Sequence, residues 1–193
     1  MWQLPPIPSW NAIHPLIIHF PIVLLLLAPC LILVGAVRPP ERGRTLLYAG
    51  LAVMTAGTIG TYLAIASGEA AAQLAERNPQ VEAVLEHHEQ LAEATRIGFS
   101  VLTVIFAAIL LIPCALKKTS SRVASTALPL AFLLLYAGGV LLVVNTAHNG
   151  ARLVHEFGVT AALKPSPVPG AAQEANQQPG AQEHQNETGA DRD

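Results

Sequence analysis

Four blocks of this chain, roughly 13–37, 45–67, 95–116 and 123–147, carry almost no charge. A helix needs about 20 mostly apolar residues to cross a bilayer, and each block is long enough. The composition supports that reading: 52% of residues are hydrophobic and only 12% charged. The apolar residues also come in long runs rather than at the spacing of an amphipathic surface helix. The expected fold is therefore an all-α membrane protein, a four-transmembrane-helix bundle over residues 1–160 followed by a separate tail over 161–193.

Basic residues set the expected orientation. Arg38, Arg42 and Arg44 lie between the first and second blocks, and Lys117, Lys118 and Arg122 between the third and fourth. By the positive-inside rule both loops are cytoplasmic, which puts both termini and the long second loop on the external side of the membrane. The opening MWQLPPIPSW has no basic residue and no small-residue cleavage site, so the first block is expected to stay as an anchor, with Trp2 and Trp10 at headgroup level. Beyond residue 160, Pro, Gly, Ala, Gln and acids dominate, a composition that predicts a disordered external tail in which His184 is incidental.

The second loop, SGEAAAQLAERNPQVEAVLEHHEQLAEAT, is rich in helix-forming residues and interrupted at Asn78-Pro79. It predicts a second helix that runs out past the membrane, a turn, and an exposed approach to the third helix. Its glutamates, among them Glu69, Glu76, Glu82, Glu86, Glu89 and Glu93, form an acidic solvated face.

Several kinds of chemistry have no home here. Cys30 and Cys114 lie in the expected cytoplasmic halves of their helices without paired spacing, which argues against a disulfide. There is no C-x-x-C-H for covalent haem attachment, and no Walker loop, nucleophile elbow or H-E-x-x-H. No catalytic motif is visible, and no nucleic-acid partner is expected.

What remains is histidine. His14, His19, His87, His88, His148 and His155, six of the seven, fall where the four helices meet the same membrane face. Ionisable side chains at such a boundary point to a ligand or proton site. His14 and His19 sit about 140° apart around a helix and about 7.5 Å apart along it, so they do not share one atom as ligands. Pro21 removes a backbone hydrogen bond after His19, kinking the helix and freeing a carbonyl. His148 and His155 share a face, about 10.5 Å apart, if the helix continues through Gly150. Gly150 and Ala151 between them admit a neighbouring helix or a flat macrocycle. His87 and His88 point about 100° apart, and periodicity alone does not choose between them.

The segments HPLIIHFP, SGEAA, HEQLA and HNGARLVHEFG, in this order across residues 12–160, resemble the bacterial membrane family DUF2231, a domain of unknown function. The resemblance implies that His88, rather than His87, is the recurring histidine before the third helix. Some relatives close with a pattern like G-H-x-G-G-x-L-x-H, which His148, Gly150, Leu153 and His155 match. Others end in L-V-Y-x-H-G; here His155 stands at the tyrosine position, Phe157 at the histidine position, and Ala151 where a second glycine is usual.

Three functions would use histidines from several helices at one face. The first is b-type haem binding in an electron-transfer subunit, with ligands drawn from His14, His19, His88, His148 and His155 and with Arg152 on a propionate. Electrons would pass between quinone and an external redox carrier. The second is a transition-metal site, Zn or Cu, on the same five histidines with an oxygen from Glu69, Glu89 or Glu156. The third is an accessory or sensory membrane subunit, or a proton-coupled one. Gly57, Gly60, Gly138 and Gly139 offer surfaces for a homo- or hetero-oligomer.

Overall fold

The computed structural model describes residues 8–75, 78–116 and 122–159, with side chains from Ser125 onward in the last segment. Trp2, Glu76, Lys117, Lys118 and the segment 161–193 lie outside these residues. The described part is all-helical: α1 (His14–Ile17), α2 (His19–Val37), α3 (Pro40–Ala72), α4 (Pro79–Ala115) and α5 (Arg122–His155).

Proline chemistry explains where the helices begin and break. Pro15 occupies the first turn of α1, Pro40 that of α3 and Pro79 that of α4, positions where a missing N–H is harmless. Asn78 caps α4 by accepting from the amides of Gln80 and Val81 at 3.0 and 2.9 Å. Between α1 and α2 Ile18 keeps helical dihedrals, while Pro21 has no N–H to donate to the carbonyl of Ile17. α1 and α2 together make the first apolar span.

Four helices are long and apolar enough to cross a membrane: His14–Val37, Pro40–Ala72, Pro79–Ala115 and Ser125–His155. The second and third are longer than the sequence blocks. α3 starts at Pro40 rather than near 45 and runs to Ala72, and α4 starts at Pro79 rather than near 95. The stretch expected as an exposed approach is the helix itself, because its Ala, Glu, Leu and Gln residues need no hydrophobic run to stay helical. α5 likewise passes through Gly150 to His155.

Consecutive spans pack side by side, and the last returns to the first, so α2, α3, α4 and α5 form a closed ring. The helix pairs across its diagonals, α2 with α4 and α3 with α5, make no substantial contact. Gly35 and Gly43, Gly50 and Ile32, and Gly57 and Leu25 meet where α2 and α3 approach backbone to side chain or backbone to backbone. The core between the four helices contains Leu25, Ile32, Met54, Phe99, Phe106, Phe132 and Tyr136. Phe106 stacks on Phe132 at 4.7 Å, and Tyr136 meets Phe99 and Phe132 edge-on.

Polarity is arranged for lipid rather than water. Phe20, Val104 and Leu134 are 72%, 69% and 79% exposed, whereas Thr58, Thr61, Ser67, Thr95 and Asn149 are buried. An apolar exterior of this extent would drive aggregation in water and is what a bilayer solvates. The buried hydroxyls join helices: Thr58 to Thr103 at 2.8 Å between α3 and α4, and Thr95 to Thr146 at 2.9 Å between α4 and α5. One contact repairs a backbone defect. Pro29 has no N–H to give the carbonyl of Leu25 one turn earlier in α2, and the Tyr136 hydroxyl donates to that carbonyl from α5 at 2.7 Å.

Of the four glycines expected to serve neighbouring molecules, three are used inside the bundle. A Cβ at Gly57 would meet Leu25, one at Gly60 would meet Pro21, and one at Gly139 would meet Phe99 and Leu102; Gly138 has no atom within 4 Å.

Candidate functional site

The histidine face is the end of the bundle where α1 begins and α5 finishes. Of its six histidines the structure brings two together. His14 and His88 are half-buried and within electrostatic reach of each other. They project from the first and third spans, which stand across a diagonal of the ring.

Each ring is held by the helix next to it in sequence. His14 Nδ1 lies 3.0 Å from the Ser67 hydroxyl on α3. That hydroxyl donates its own proton to the carbonyl of Ala64 at 3.0 Å, so it can only accept from His14. His88 Nδ1 lies 2.9 Å from the carbonyl of Thr146 on α5, and a carbonyl can only accept. His88 therefore carries its proton on Nδ1 and its Nε2 presents a lone pair; His14 takes the same tautomer when the Ser67 hydroxyl gives its proton to Ala64. Among the described residues the side-chain hydrogen bonds of both rings run through Nδ1, and the His14 ring also meets the carbonyl of Ala64. A ring fixed through Nδ1 with Nε2 free is the usual preparation of a metal-ligating histidine.

Glycine makes room for both rings. A Cβ built on Gly68 would stand 3.0 Å from Cε1 of His14, and one on Gly150 would stand 3.0 Å from Cε1 of His88. The two halves have the same plan. In each, the first helix of a hairpin supplies the histidine, and the second supplies a hydrogen-bond acceptor and a glycine on which the ring lies. Gly150, expected to admit a helix or a macrocycle, is filled by the imidazole of its own chain. Ser67, Gly68 and the Thr146 carbonyl were not singled out from the sequence; the only signal was a Ser-Gly pair inside a helix that had no need of either.

The other expected site residues stand apart from this pair. His19 is exposed and its Nδ1 donates to the carbonyl of Pro15 at 2.6 Å. His87, His148 and His155 are exposed. His148 and His155 do share one continuous helix, but on a face turned out of the bundle. The Arg152 guanidinium is engaged with Glu156 at 2.9 Å, one turn along α5. Glu69, Glu89 and Glu156 are exposed, and Cys30 and Cys114 are free thiols. No group of three or more His, Cys, Asp or Glu side chains converges among the described residues.

Fold and site together define a four-span helical membrane protein whose polar centre is a pair of histidines across the bundle. The chain belongs to the family described as "Predicted membrane protein (DUF2231)", whose model matches residues 11–163. No curated protein and no solved structure matches it.

Proposed function

We propose that the chain is a haem b-binding electron-transfer subunit of the membrane, in which His14 and His88 would hold the haem. The observation that carries this reading is the pair of half-buried imidazoles on diagonal helices, each anchored through Nδ1. The number of donors supports it further. A bare Zn(II) ion takes at least three protein ligands, whereas iron in a macrocycle needs only two, one from each side. Four-helix bundles hold cofactors in this way, through side chains on facing helices.

A haem bound there would supply one-electron transfer. The residues of the chain do the rest: Ser67 and the Thr146 carbonyl fix the tautomer and the ring orientation, and Gly68 and Gly150 let the rings lie flat against α3 and α5. The pair lies at the far end of α2 and α3 from Arg38, Arg42 and Arg44. By the positive-inside rule that is the external face of the inner membrane, within reach of an external redox carrier, with quinone in the bilayer as the other partner.

The test is the reduced-minus-oxidised visible spectrum of the full chain, purified in detergent after expression with haem precursor. A sharp b-type band at near one haem per chain is expected. A flat spectrum overturns the reading, and elemental analysis of the same sample then shows whether a metal ion is held instead.

A further inference from the structure

The opposite end of the bundle holds a cavity of about 600 Å³ between the α2–α3 turn and the ends of α4 and α5. The size is that of a site for a small amphiphile. Its formation follows from the packing. Gly35 and Gly43 let the ends of α2 and α3 close on each other, while α4 and α5 carry Pro113 and Pro129 at this level. Those prolines leave the carbonyls of Ile109 and Ser125 without a helical N–H, and both residues line the cavity.

The walls are of two kinds. Leu47, Ile109, Leu110 and Leu128 make an apolar interior, and Arg38 and Arg44 stand at the rim. The Arg44 guanidinium is steadied by Tyr48, whose hydroxyl it reaches at 3.3 Å and whose ring centre lies 5.7 Å away. The Cys114 side chain meets it too, and neither contact supplies a full negative charge. Neither arginine has a carboxylate partner among the described residues, although Glu41 lines the same cavity. Two guanidiniums without carboxylate partners above an apolar pocket match an anionic phosphate head on an acyl chain. A free phosphate would leave the apolar walls unused. About 36 Å of α3 separates Arg44 from Gly68, so a molecule held here does not touch the histidine pair.

We infer that this cavity binds an anionic phospholipid, with its phosphate on Arg38 and Arg44 and its chain against Leu47, Ile109 and Leu110. The test places the full-length protein in nanodiscs of phosphatidylcholine containing a minor fraction of phosphatidylglycerol, then extracts it in mild detergent and counts bound lipids by native mass spectrometry. Retention of about one phosphatidylglycerol, enriched over its share of the disc, is expected. Each of Arg38→Gln and Arg44→Gln should reduce the enrichment about fivefold, the weight of one basic side chain at an anionic surface. Arg44→Lys should keep most of it. Thr126→Trp, which fills the cavity and leaves both charges, should also abolish retention. Helical content by circular dichroism shows whether each variant folds. Retention of both lipids in proportion to the disc overturns the inference. So does inorganic phosphate that displaces phosphatidylglycerol from the wild type and still binds Thr126→Trp in the same mass spectra, because the site would then take the free anion.

Discussion

Tyr136→Phe removes one oxygen atom, and the structure says why that atom matters. The carbonyl of Leu25 has lost its helical donor to Pro29, and the Tyr136 hydroxyl replaces it across the bundle at 2.7 Å. Both residues are about 1% exposed, so water has no route to the carbonyl once the hydroxyl is gone. An unsatisfied buried acceptor costs about 1–3 kcal/mol in soluble proteins. Hydrogen bonds between membrane helices average about 0.6 and reach about 1.7 kcal/mol. A dry carbonyl with no alternative donor belongs near the upper membrane value, so a loss of about 1.4 kcal/mol is expected, tenfold in the unfolding equilibrium. The assay is reversible unfolding in mixed micelles, run as a double-mutant cycle with Pro29→Ala. Alanine at 29 gives the Leu25 carbonyl an N–H from its own helix, so in that background Tyr136→Phe should cost less than about 0.5 kcal/mol. An equal loss in both backgrounds would refute the reasoning, because the hydroxyl would then be acting through something other than the orphaned carbonyl.

Three further outcomes are expected. On the haem reading, His14→Ala and His88→Ala should each abolish the b-type band, while His19→Ala, His87→Ala, His148→Ala and His155→Ala should leave haem content near that of the wild type; loss of colour only in the second set would reassign the ligands. Gly150→Leu should destabilise the bundle by about 1–3 kcal/mol in the same unfolding assay, because even its Cβ would press on the His88 ring at 3.0 Å. A variant as stable as the wild type would show that the ring has room to move. Asn78→Ala should weaken the start of α4 by about 1 kcal/mol and speed amide exchange at Gln80 and Val81 about fivefold, measured by hydrogen exchange; unchanged protection would contradict the cap.

The four spans were legible because a bilayer asks for length and apolarity, and both are written directly in the chain. The start of α4 is not written in the apolar blocks: residues 79–94 are helical but polar, and a hydropathy reading stops where the hydrocarbon does. The Asn-Pro pair at 78–79 was the better signal, since it names a cap and a first turn. The histidines were legible as a set but not as a pair. Periodicity cannot separate His87 from His88, which differ only in whether the ring turns toward Thr146 and Gly150 of a helix some sixty residues away. Ser67 was invisible as a partner for the same reason. Its hydroxyl acquires a role only when α1 arrives from the other side of the hairpin.

Each hairpin builds half of the histidine site without help from the other. His14 needs only Ser67 and Gly68, and His88 needs only Thr146 and Gly150. The two imidazoles come within electrostatic reach only after the hairpins have docked, so a ligand held by both would fasten one half of the protein to the other. Such a fastener stabilises the docked state by an amount that grows with the logarithm of its concentration over its dissociation constant. On the haem reading, supply of the cofactor would then set how much assembled protein the membrane retains, and the pair would act as a checkpoint on assembly.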